Sequence, residues 1–136
     1  QPVPGLEVPR FAGVASFMRL PQVKLEDAGE VDIGLIGVPW DGGTTNRPGP
    51  RHGPRQMRDA SAMIRMVHHH LKIEPFKLAN VADLGDAPVN PADLMDALSR
   101  IEAFRCHLNK RGVDAAPVNN KVARSSPPGP GSCYRQ

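Results

Sequence analysis

The sequence predicts an α/β fold: a parallel sheet with helices on its faces, of which this chain carries the front part. Three observations lead there. The run VDIGLIGV at 31–38 is almost continuously aliphatic and ends at Pro39, as a strand buried on both faces does. A second run, KLANVADLGD at 77–86, ends in Gly85 and an acidic turn. Each run is followed by apolar residues recurring every three or four positions, the mark of a helix with one buried face. Strand, helix, strand, helix in that order calls for right-handed crossovers and parallel strands, and 136 residues suit one such domain.

Residues 1–30 carry Pro2, Pro4, Pro9 and Pro21 around the apolar stretch Phe11 to Leu20. They are expected to form an extended arm that docks a few side chains on its own domain, with a partner subunit as the other recipient. The helix after the first strand should open at Gly53 and Pro54, since proline at the first helical position forfeits no available bond. Met57, Ala60, Ile64, Val67 and Leu71 would share its buried face. Asn90 is expected to cap the next helix, with Pro91 at its first position and Asp93 in its first turn. Leu94, Leu98, Ile101 and Leu108 line one side of it, and Lys110, Arg111 and Gly112 close it. From Val113 onward there is no Leu, Ile, Met, Phe or Trp, and SSPPGPG cannot offset its ordering entropy by burial. Residues 113–136 are therefore expected to be a disordered tail unrelated to the partial domain at 31–112, which leaves two strong strands and no convincing third.

Composition narrows the function classes. Hydrophobic residues are 40% of the chain and aromatics 4%, so the core must be aliphatic. The net charge of +3 is scattered, without a basic run or interleaved aromatics, which argues against nucleic acid. No stretch reaches the roughly 18 apolar residues that cross a bilayer, and the start QPVPGLEVPR has no targeting pattern. These features point to a soluble, cytoplasmic protein without membrane partners. The first residue is Gln rather than Met, which fits a chain that begins inside a longer one. Cys106 and Cys133 form no spaced metal pair and no disulfide framework, and Cys106 is expected to be packed rather than reactive.

The segment between the first strand and its helix, GVPWDGGTTNRPGPRHGPRQMR at 37–58, concentrates Gly, Pro and Arg. It leaves the carboxyl end of a strand, where ligands meet open parallel sheets. Gly42 and Gly43 allow the backbone to turn where a Cβ would clash, and Pro48 and Pro50 stiffen the return. Thr44, Thr45 and Asn46 can bond to backbone groups, while Arg47, Arg51 and Arg55 can pair with carboxylates. A structural arch held by arginine is the plain reading. A phosphate cradle fits poorly, since neither GxxxxGK[ST] nor GxGxxG is present.

This segment resembles the first-strand signature of the arginase-type ureohydrolases, on the branch of agmatinases and guanidino-acid hydrolases. Asp41, Gly43, Thr44, Arg47, Pro48, Gly49, Arg51, Gly53, Pro54 and Arg58 fall in order on its G-x-P-x-D-x-G-T-x-x-R-P-G-x-R-x-G-P-x-x-I-R pattern, with Met57 at the aliphatic position. VADLGD at 81–86 is similar to a second marker and SFMRLP at 16–21 to the amino-terminal arm. The match covers most of residues 11–112. The resemblance implies a three-layer α/β fold and the hydrolysis of a guanidinium group to urea and an amine, assisted by two Mn²⁺ ions. The ligands of those ions lie in G-G-D-H, D-A-H-x-D and D-x-D segments, and none of these occurs in this sequence.

Substitutes are scarce. His68, His69 and His70 are consecutive, so on a helix they point in three directions and suit a solvated helix end better than a chelate. His52 and His107 each stand alone. Asp83 and Asp86 suit a turn or cap. No residue is therefore assigned a catalytic or metal role. Trp40, Asp41, Thr44, Asn46 and Arg47 are the candidates for the substrate side of the loop. Gly43, Pro48, Gly49, Arg51, Gly53, Pro54, Arg58, Asp83 and Asp86 are the candidates for its framework. The expected protein is a partial or truncated relative of these hydrolases, inactive as it stands. The second reading is a non-catalytic interaction protein that docks onto full-length relatives, copies of itself or another partner, and the third an anion or nucleic-acid binder using the arginine loop.

Overall fold

The computed structural model describes residues 1–110 and 112–118. Three parallel strands form its sheet: β1 (Ile33–Gly37), β2 (Val81–Asp86) and β3 (Asp114–Val118), in the order β2-β1-β3. Ile33 lies opposite Val81 on one side and opposite Asp114 on the other. Side chains alternate across a strand, and the core divides accordingly. Leu35 and Val81 pack with Phe17 and Leu20 on one face, while Ile36, Ala82 and Leu84 pack with Leu108 and Val113 on the other. The helix α1 (Gly53–Ser61) serves the first face through Met57, and α3 (Leu94–Lys110) serves the second through Phe104 and Leu108.

The arm packs on its own domain. Phe17 and Leu20 are each 2% exposed. The Asp83 N–H donates to the Pro21 carbonyl and the Val23 N–H to the Asp83 carbonyl, both at 3.0 Å, so residues 21–23 pair with the outer edge of β2.

The expected α/β order holds, and the element bounds need correction. β3 is a third strand where the sequence offered none, so order continues past Gly112. Asp114, two alanines and Pro117 give it a poor strand signal, and a proline is tolerated in a sheet mainly at an edge. The remainder of the expected tail lies outside the described residues. α1 stops at Ser61 instead of running to Leu71. Its buried side is Pro54, Met57 and Arg58, whereas Ala60, Ile64, Val67 and Leu71 are exposed. Arg10 caps the stop, donating from Nη1 to the carbonyls of Ala62 and Ile64 just beyond the helix. Residues 68–73 then fold into a tight reversal, with the His68 N–H donating to the Ile73 carbonyl at 2.8 Å. Residues 77–80 are not strand. A short helix, α2 (Pro75–Leu78), precedes β2. The cap of α3 is Asp93, whose carboxylate accepts from the Met95 and Asp96 N–H groups, and Asn90 instead holds the preceding turn through Ala92. Leu94 and Leu98 are about half exposed and Ala97 is buried, so the packed stripe is rotated by a residue.

α1 sits tightly on the carboxyl end of β1. A Cβ added at Gly37 would fall 2.8 Å from the Pro54 Cβ and 1.9 Å from the Asp86 Oδ1. The carboxylate could swing away, but the proline ring cannot. We expect Gly37→Ala to cost about 1–3 kcal/mol, as overpacking does, seen as a lower urea midpoint with an unchanged slope.

Candidate functional site: the loop at the carboxyl end of the first strand

Residues 38–52 arch between β1 and α1, and one carboxylate holds the arch. The Asp41 side chain is fully buried, while that of its partner Arg51 is 49% exposed. Asp41 Oδ2 accepts from the Gly49 N–H at 2.7 Å and from the Arg51 N–H at 3.3 Å. Its Oδ1 accepts from Arg51 Nε at 2.6 Å. The Gly49 N–H chiefly, and then Arg51, hold the carboxyl below its usual range against the opposing effect of burial. Gly49 has φ +147°, a backbone that L side chains rarely adopt. The near half of the arch is a turn in which the Thr44 N–H and Oγ1–H both donate to the Asp41 carbonyl.

Asp41 is thus turned inward, although the sequence grouped it with the substrate-side candidates. Trp40 is half-buried with its ring against Gly42, and Thr44, Asn46 and Arg47 are exposed on the arch. A Cβ at Gly43 would meet open space and its φ is not in the left-handed range, so the glycines the loop requires are Gly42, for the close approach of Trp40, and Gly49, for its positive φ.

Beneath the arch lies a second ion pair. Arg58 Nε and Nη2 donate to Asp83 Oδ2 and Oδ1 at 2.8 and 3.0 Å, and its Nη1 donates to Asp86 Oδ1 at 2.7 Å. The Arg58 side chain is 10% exposed and that of Asp83 fully buried. The Asp83 hydrogen bond is the main reason why the arginine pKa is raised above its ordinary value. Asp83 also accepts from the Phe17 N–H at 3.0 Å and the Gly85 N–H at 2.9 Å, and the guanidinium lies 4.2 Å from the centre of the Phe17 ring. Asp83 and Asp86 are therefore partners of Arg58, not simply turn or cap residues. The link to the arm through Phe17 was missed in the sequence. Its signal was an aspartate inside an aliphatic strand, which calls for a buried cation.

Metal donors do not converge. Among the described residues no three His, Cys, Asp or Glu side chains could hold one ion. Asp41 and Asp83 are saturated by the donors above. His68, His69 and His70 sit in the exposed reversal rather than at a helix end, with His68 Nδ1 accepting from the Leu71 N–H. His52 is exposed beside the loop and His107 on α3, and Cys106 is disulfide-bonded, which corrects the expectation of no disulfide. The two Mn²⁺ ions implied by the resemblance therefore do not fit these residues, and no chemical step is derived through them. Among the described residues no helix is long and apolar enough to cross a membrane.

Comparison with known proteins agrees with this geometry. The profile of the Arginase family matches residues 31–117, so the likeness extends beyond Gly112 into β3. The guanidinopropionase of Pseudomonas aeruginosa is 55% identical over 113 residues, covering 83% of this chain and 35% of that protein. The proclavaminate amidino hydrolase structure from Streptomyces clavuligerus superposes with a TM-score of 0.68 at 34% identity, covering 79% of this chain and 34% of that one. A hypothetical agmatinase from Burkholderia thailandensis gives a TM-score of 0.73 at 28% identity with the same coverages. The chain spans about a third of the length of these relatives.

Two predictions arise from the paired carboxylates. Arg58→Met leaves Asp83 charged and buried, and should cost about 3–5 kcal/mol. Adding Asp83→Asn should recover part of that loss, so urea denaturation of both proteins reads less than additive effects. For Asp41 the folded pKa lies below the unfolded one, so its contribution is complete above the ordinary value of 3.8 and disappears as the pH falls through the folded value. Asp41→Asn should therefore be less stable than the parent at neutral pH, with the gap closing as the pH falls below the ordinary carboxylate value of 3.8. A gap that persists into acid would show that the clasp does not depend on charge.

Proposed function

The chain belongs to the Arginase family, and on that premise we propose that it forms the amino-terminal part of a hydrolase of small guanidino compounds and contributes one wall of the substrate mouth. The observation that carries this reading is the Asp41 clasp at the carboxyl end of β1. It spends its carboxylate on Gly49 and Arg51 and leaves Thr44, Asn46 and Arg47 exposed on the arch, with Trp40 at its base. Ligands of parallel sheets bind at that end. The guanidinopropionase relative favours a guanidino acid as the substrate class. In this reading the chain positions substrate, and metal ligation belongs to parts of the fold that the described residues do not include.

Urea release tests it. The chain incubated with Mn²⁺ and 3-guanidinopropionate, 4-guanidinobutanoate or agmatine should give no urea above a protein-free blank. Residues 38–52 grafted into the Pseudomonas guanidinopropionase should preserve turnover, and Arg47→Ala in that graft should lower kcat/KM about tenfold or more. Urea from the chain alone, or a graft indifferent to Arg47, contradicts the proposal. Co-elution of the chain with the intact relative would favour an association role instead.

A further inference from the structure

A groove of about 400 Å³ separates the arm from the carboxyl end of α1. Val8 and the exposed Phe11 and Val14 give its arm side an apolar character over the buried Leu20, while Asp59 and Ala62 stand on the helix side and Ser16 and Gln22 add polar lining. Arg10 closes it above by bonding to the carbonyls of Ala62 and Ile64 at 2.9 and 3.0 Å. Three arginines line it: Arg10, Arg19 and Arg58. Arg10 is engaged by those carbonyls, and Arg58 by Asp83 and Asp86.

Arg19 differs. Its Nε donates to the Val3 carbonyl at 3.1 Å and its Nη2 to the Val8 carbonyl at 2.6 Å. Its Nη1 is buried and finds no acceptor among the described residues. A charged donor left in that state is costly, and native folds seldom keep one without a reason. The backbone is also strained there, since Met18 and Arg19 have φ of +53° and +58° and neither is glycine. Strain persists where surrounding structure enforces it, and it clusters at ligand clamps.

We propose that this groove binds a small aliphatic monocarboxylate, with a carboxylate oxygen accepting from Arg19 Nη1 and the alkyl chain lying along Val8, Val14 and Leu20. The volume is within the range of small-molecule sites, roughly 300–1,000 Å³. One spare cationic donor beside the apolar side of the arm suits a monoanion with a tail, whereas the Asp59 carboxylate on the helix side repels a phosphate dianion more strongly. Because Nη1 is closed off from the groove, entry requires the arm to give slightly, and the exposed turn at Pro9–Ala12 can do so. The groove shares no residue with the 38–52 loop, so the site stands independently of the hydrolase reading.

Calorimetric titration of the full chain with hexanoate, hexanol and inorganic phosphate tests this. Hexanoate should bind saturably at one site, hexanol about tenfold or more weakly, and phosphate should not compete. Arg19→Met should abolish the preference for hexanoate over hexanol. Ala15→Phe, at an exposed position on the groove, should block hexanoate while leaving the thermal midpoint unchanged. Absence of saturable hexanoate binding, the outcome if the groove holds only water, overturns the proposal. So does equal affinity for hexanol, competition by phosphate, or hexanoate binding unaffected by a folded Ala15→Phe variant.

Discussion

Arg58 and Asp83 meet in a two-point contact closed to solvent, and segments far apart in sequence end on it. Arg58 comes from α1, Asp83 from β2 and 25 residues later, and Phe17 reaches the same carboxylate from 66 residues before it. Neither charge could be buried alone. The carboxylate would lose several kcal/mol of hydration, and the guanidinium likewise. Buried together, with backbone N–H groups occupying the remaining lone pairs, they are compatible with the core. The contact also limits the alternatives: the arm cannot slide along β2 without stranding Asp83, since the same residue exchanges two backbone hydrogen bonds with Pro21 and Val23.

That fixed point sets the geometry of the loop above it. With Pro54 packed on Gly37 and Arg58 locked on β2, the two ends of the 38–52 arch are held a short distance apart. The chain between them has to double back within a few residues. Asp41 makes that possible by gathering Gly49 and Arg51 onto one carboxylate, and Gly49 supplies the backbone dihedral that the return needs. An exposed surface built this way is rigid for a reason independent of regular secondary structure. Rigidity is what the proposed substrate wall would require, because misplacement by about 1 Å in such a site is expensive in rate.

Much of this was legible in the sequence, and the failures have physical causes. β1 was readable because a continuous aliphatic run between an acidic turn and a proline has few other uses. β2 was located but begun too early, since Lys77 and Leu78 end a short helix started by Pro75, and Ala79 and Asn80 only link it to the strand. β3 was unreadable: paired to the central strand by its backbone, it is permitted by position rather than by propensity. The false extension of α1 came from apolar residues at helical spacing that the fold leaves exposed, past an end that Arg10 caps from more than fifty residues away. Spacing cannot show a cap supplied by another segment. For the loop, the residues carried the correct inventory, but not which side chains face inward. Asp41 illustrates the difficulty, since an aspartate that orders a loop and one that touches a substrate look alike in sequence.

The two buried aspartates also separate two kinds of organisation. Asp41 recruits partners eight and ten residues away, so its clasp can form as soon as the local chain turns, with little loop-closure cost. Asp83 recruits partners across the whole described fold and cannot be satisfied until arm, helix and strand are all in place. A charge waiting for distant partners penalises every partly assembled state, because each intermediate leaves it either solvated and outside the core or buried and unpaired. The loop is thus locally determined in shape and globally determined in position. This explains how a stretch of glycine, proline and arginine with almost no apolar side chains can be held firmly at the end of an aliphatic strand.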